Sequence, residues 1–180
     1  DIQYRIRCAS FAFGRLNHHV FDNHNIRTRT KLLVYKAVVI PTLLYGCEAW
    51  VTYRNHLKSL ECHHQCYLQK ILDIKWVDRR TNASVLIDAN TTSIEAMIIQ
   101  HQLQWTGHCV LMPDVHLPKQ LLYSQLSQGQ RTRGGQRKRF KDTLKANIKK
   151  CGIDIINWEK LARDRATWRL TPLSSLHVRA

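Results

Sequence analysis

Arg137, Lys141, Lys145 and Lys149 recur every fourth residue. On a helix that spacing puts four cations on one side of the rod, with about 6 Å between steps. Successive phosphates of a nucleic-acid strand are similarly spaced, so the chemistry on offer is neutralisation of a polyanion backbone. Lys138 lies beside this row, and Arg131 and Arg133 precede it in a Gly-rich stretch, where glycine lets the main chain follow a phosphate surface closely. Arg5 and Arg15, off the apolar stripe of the opening segment, complete the candidate nucleic-acid-binding set. A row of Lys and Arg is also what the solvated face of an ordinary amphipathic helix looks like. Charge placement favours nucleic acid, because residues 126–180 hold fourteen Lys and Arg against four acids.

A second group, Cys62, His63, His64 and Cys66, has the residue types of a zinc site. Cys62 and Cys66 are one helical turn apart, but His64 falls on the opposite, apolar side of the same helix. The remaining pair, His108 and Cys109, are adjacent residues that diverge, whereas a closed structural site needs four converging ligands. No metal and no cofactor is expected. His64 and His101 each sit within an apolar stripe and read as buried histidines with one hydrogen-bonded nitrogen. The chain has no Gly-x-Ser-x-Gly elbow, no phosphate-cradling Gly-rich loop before Lys-Ser/Thr, and no clustered carboxylates, so hydrolytic and acyl-transfer chemistry find no support. Four tryptophans, Trp50, Trp105, Trp158 and Trp168, adjoin apolar stripes and are assigned to packing rather than to base stacking.

The elements that must carry these residues follow from periodicity. Ile2, Ile6, Ala9, Phe13 and Leu16 predict an opening amphipathic helix that ends near Asn17. Thr28 or Thr30 is placed to cap a helix through Ile40, apolar almost all round and therefore central, with Pro41 expected to kink or break it. Leu57, Leu60, His64, Leu68, Ile71 and Leu72 share one face of a third helix, and a short one covers Ala83 to Asp88. Thr92 with Glu95 makes a capping box ahead of Ile94, Met97, Ile98, His101 and Trp105, with Gly107 as the stop. Leu121 to Leu126 suggests one or two turns, Ser127 to Gln136 a mobile linker, and Phe140, Leu144 and Ile148 a stripe stopped at Cys151-Gly152. Trp158, Leu161, Ala162 and Trp168 fit a last helix. No alternating pattern predicts a strand, so the fold class is all-α. The expected organisation is a thumb-like helical part over 1–76, a helical connecting part over 77–126 and a smaller basic helical extension over 127–180, with the first boundary in the polar stretch Lys75 to Asn82.

Composition sets the partner class. At 180 residues, 44% hydrophobic with five Trp, the chain can bury one ordinary core or two small ones. Its net charge of +15 and pI near 9.9 exceed what solubility requires and attract polyanions. No long apolar span, signal peptide or lipidation motif supports a membrane partner. Six irregularly spaced cysteines fit free thiols in a reducing compartment, and an intracellular location, nucleus and/or cytoplasm, is expected. The chain opens at Asp1 and runs straight into a helical pattern, as a piece of a longer protein would.

Thr30 to Trp50 (TKLLVYKAVVIPTLLYGCEAW) and Leu103 to Met112 (LQWTGHCVLM) closely resemble the region downstream of the palm in non-LTR, LINE-type retrotransposon reverse transcriptases. Further blocks follow in the family's order: Arg5-Ile6 through Ala12-Phe13-Gly14-Arg15-Leu16, Leu60 and His64 with Leu68 to Leu72, and Trp76 with Asp78-Arg79. Leu117-Pro118-Lys119, Gly129-x-Arg131 with Gly135-Gln136, Trp158-Glu159, Asp164-Arg165 and Trp168-Arg169 continue it. The resemblance implies a thumb that grips template-primer duplex and an extension that helps to bind element RNA or target DNA, with the palm of the parent polymerase as a partner. The family's palm carries a Phe/Tyr-Ala-Asp-Asp turn, and no Asp-Asp or Asp-x-Asp pair occurs here, so this chain by itself is not expected to be an enzyme. Gln69, Gln104 and Leu111 stand where the family pattern has Arg, and Tyr67 where it has Cys. Those departures leave open an inert or protein-interacting helical remnant of a decayed element.

Overall fold

The structure is a computed structural model that describes residues 1–124 and 138–168, and these are helical without a strand among them. The described helices are α1 (Ile2–Leu16), α2 (Thr28–Val34), α3 (Ile40–Leu44), α4 (Arg54–Ile71), α5 (Asn82–Asp88), α6 (Ile94–Leu111), α7 (Leu117–Tyr123), α8 (Phe140–Lys150) and α9 (Trp158–Arg163). None is long and apolar enough to cross a membrane. The chain forms two compact units, one of Asp1–Gly46 with Tyr53–Met97 and the other of Cys47–Thr52 with Ile98–Arg179. The polar stretch Lys75 to Asn82 lies inside the first.

In the first unit α1 buries Ile2, Ile6, Ala9 and Phe13, the stripe its sequence announces. Phe13 is sandwiched between the rings of Phe21 and Tyr67, each 4.3 Å away and nearly parallel. Tyr67 also donates its hydroxyl to Ser10 Oγ at 2.7 Å, which ties α4 to α1. The second helical run differs from expectation in two ways. It passes through Pro41, with a π-helical turn over Tyr35–Val39 between α2 and α3. Proline lacks an N–H and crowds the carbonyl four residues back, and the wider turn just upstream takes up that misfit. The Thr42 hydroxyl then donates to the Val38 carbonyl. Nor is the run buried all round: Lys31, Tyr35, Val39 and Leu43 face inward at four-residue steps, while Leu33 and Val38 are exposed. Neither Thr28 nor Thr30 caps it, since Arg27 holds the N-cap position without a side-chain bond.

α6 begins one residue later than a Thr92 cap requires. Ser93 Oγ accepts from Ala96 N–H, and the first helical N–H, that of Ile94, is taken by the Glu61 carboxylate of α4 at 2.9 Å. In the second unit the helix runs past Gly107 to Leu111. That glycine is there for close approach, because a Cβ at this position would stand 2.2 Å from Trp168 Nε1. The indole N–H donates to the Leu103 carbonyl. The buried face of α6 is also turned from the one expected, with Gln102 inside and His101 exposed. Gln102 is fully used: its amide donates to the Cys47 and Trp50 carbonyls and accepts from Asn147 of α8. Leu103, Leu144, Ile148 and Trp168 anchor the apolar core around it.

Candidate nucleic-acid interface

α8 has one side packed into the core and the other facing solvent. Thr143, Leu144, Asn147 and Ile148 are buried, and the helix stops in a Schellman motif. Gly152, at φ +71°, donates to the Lys149 carbonyl, and Ile153 to the Ile148 carbonyl. Its first turn is closed by Asp142, whose carboxylate accepts from Arg139 N–H. Lys145 and Lys149 are exposed and have no carboxylate partner among the described residues. Lys141 sits closer in, half-buried, with Nζ donating to the Ser124 carbonyl at 3.0 Å. Steps of four advance about 40° around a helix, so the row runs obliquely from the edge of the buried face outward. Lys138 is exposed just ahead of α8. Arg131, Arg133 and Arg137 lie outside the described residues.

Arg5 and Arg15 belong to the first unit. The Arg5 guanidinium lies 4.4 Å from the Tyr45 ring centre and 5.6 Å from that of Tyr4, and Arg15 lies 5.8 Å from Phe11. These are cation–π distances. The rings concerned were not singled out by sequence, yet Tyr4, Phe11 and Tyr45 are more than half exposed. The signal was available for two of them: Tyr4 and Phe11 are seven residues apart on the side of α1 opposite its buried stripe.

No family model, curated protein or solved structure matches this chain. Its chemistry has to be read from its own residues.

The cysteine-histidine group behaves as its spacing requires. Cys62 and Cys66 are exposed on α4, while His64 is buried on the other side and shares a 2.8 Å hydrogen bond between Nδ1 and the Tyr35 hydroxyl. Burial lowers the His64 pKa to about 4, against an opposing pull from the Thr92 carbonyl. Burial likewise pushes the Tyr35 hydroxyl well above its ordinary range, so the pair is neutral and structural. Among the described residues no three metal-ligating side chains converge. Trp105 packs edge-on to Phe140, and Trp158 leans on Trp168, consistent with packing roles. Trp76, by contrast, is 95% exposed.

One open cleft of about 460 Å³ in the second unit is lined by Lys119, Tyr123, Glu159 and Arg163 among others. Desolvation and the Glu159 carboxylate beside it push the Tyr123 hydroxyl up to about 12, so it stays protonated at neutral pH. Lys119 is paired with Asp114 at 2.8 Å. Asp114 and Glu159 offset Lys119 and Arg163 in the lining of the cleft.

Proposed function

We propose that this chain is a nucleic-acid-binding module, the thumb and post-palm extension of a LINE-type reverse transcriptase. Template-primer, element RNA or target DNA would be its ligand, and catalysis would belong to a palm it lacks. One observation carries the reading. Among the described residues Lys145 and Lys149 stand exposed and without carboxylate partners, on a helix whose opposite face is packed into a core, within a chain of net charge +15. Such a helix offers phosphates a rigid row of cations, and binding of this kind is electrostatic and insensitive to sequence.

Replacing Arg137, Lys141, Lys145 and Lys149 by Gln is expected to weaken binding to an RNA–DNA hybrid similarly across sequences. The slope of log affinity against log salt should fall by roughly three to four. The fold should survive, since Leu144 and Ile148 keep the helix seated, exposed changes usually cost less than about 0.5 kcal/mol each, and the half-buried Lys141 adds only its bond to Ser124, about 1 kcal/mol. Affinity at several salt concentrations, with circular dichroism as the folding control, is the measurement. An unchanged slope in a folded variant would hand the case to the second reading, a protein-interacting helical remnant. That reading is favoured by Val115, Leu117 and Leu121, exposed together around the start of α7.

A further inference from the structure

We infer that the solvent face of α1, together with Tyr45, is a stacking platform for single-stranded nucleic acid, a role separate from the phosphate row on α8. The inference rests on the nucleic-acid reading above and specifies which form of the polymer the first unit takes.

Tyr4, Phe11 and Arg15 fall within a stripe about 40° wide on α1, and Arg7 borders it. The stripe lies directly opposite the buried Ile2, Ile6, Ala9 and Phe13, so its backbone is fixed while its rings face water. Tyr4, Phe11 and Tyr45 are 54%, 68% and 67% exposed; Tyr4 and Tyr45 share the Arg5 guanidinium, and Phe11 lies against Arg15. Tyr45 is held beside α1 by Arg5, at 4.4 Å, and the chain turns away just after it at Gly46, φ +75°.

Charge selects the occupant. α1 carries Arg5, Arg7 and Arg15 and no carboxylate. A second copy of the same face would set arginine against arginine. An anionic partner with planar faces suits both features, and unpaired bases on a phosphate backbone supply them. Tyr4 and Phe11 are about 10 Å apart along the axis. A strand touching both is unstacked between them, which a duplex, with bases stacked about 3.4 Å apart, does not permit except at its ends.

The test uses the full 180-residue chain and its Tyr4→Ala/Phe11→Ala/Tyr45→Ala variant. Fluorescence anisotropy would be read with labelled single-stranded oligothymidylate, with a duplex of equal length, and with poly-glutamate. Removing the rings should weaken oligothymidylate binding by roughly 100-fold, while duplex affinity stays within about 2-fold and the salt slope is unchanged. Loss on both nucleic acids alike, or on neither, overturns the platform and leaves the phosphate row standing. Wild-type chain that binds neither nucleic acid overturns both. Ring-dependent binding of poly-glutamate that matches oligothymidylate reassigns the face to an acidic protein and also overturns the inference. Should circular dichroism find the triple variant unfolded, Phe11→Ala alone, expected to lose roughly 5-fold on the single strand only, decides by the same comparison.

Discussion

Below pH 6.5 the unfolded chain takes up a proton at His64 that the folded chain refuses until about pH 4. The folded pKa is depressed, so the unfolded state binds more protons across this window and stability falls as pH falls through it. His64 alone should remove about 3 kcal/mol between those limits. Urea titrations at several pH values check this, and His64→Gln should flatten that part of the profile. Gly107→Ala is the second residue-scale case. Alanine favours a helix by up to about 1 kcal/mol, but the new methyl would collide with the Trp168 indole and break its bond to Leu103. A net loss of roughly 2 kcal/mol is expected, read as a lower Tm with altered near-UV dichroism from Trp168. The two residues differ in how legible they were. His64 lies on a clean stripe with Leu60 and Leu68, so its burial followed from spacing. Gly107 looks like any helix stop, because the ring that needs its missing side chain is sixty-one residues away. His101 was misplaced for a related reason. Apolar residues surround α6 on most sides, so spacing could not choose its buried face, and the face includes Gln102, a polar residue that only its carbonyl partners explain.

Helices as elements were easier to foresee than their ends. α1, α4 and α8 follow from periodicity, and Cys151-Gly152 stops α8 as glycine at that position should. The π-helical turn before Pro41 was not visible. Proline announces a misfit, but where the extra residue is absorbed depends on Tyr35, Val39 and Leu43 all needing to face the core. The start of α6 was hidden too, because its capping carboxylate comes from another helix. Glu61 is held there despite a burial that pushes its carboxyl pKa up, with the Ile94 N–H and Gln65 opposing the rise. Glu61→Ala should cost about 1–2 kcal/mol through the lost cap, and Glu61→Gln less, since an amide oxygen still accepts from Ile94. Urea midpoints of the two variants measure the difference. Of the proposed phosphate row, the cations on α8 were legible from spacing, whereas the half-burial of Lys141 was not: its bond to Ser124 comes from a distant segment.

For the whole molecule, helical class and surplus charge could be read directly from composition and periodicity, while the way the chain is shared between its units could not. Cys47–Thr52 is counted with the second unit although the first surrounds it in sequence. Gln102 explains this, taking the Cys47 carbonyl from fifty-five residues away, a pairing no local pattern encodes. The chain therefore passes from one unit to the other after Gly46, after Thr52 and after Met97. For a polypeptide emerging from the ribosome this sets an order of assembly. The segment from Cys47 to Thr52 leaves the tunnel well before the amide that receives its carbonyls, and Asn147, which completes that amide's bonds, comes later still. Until then the Cys47 carbonyl has only the local Trp50 N–H and the Trp50 carbonyl keeps its water, so a chain halted near residue 100 carries this loop without the side chain that closes it.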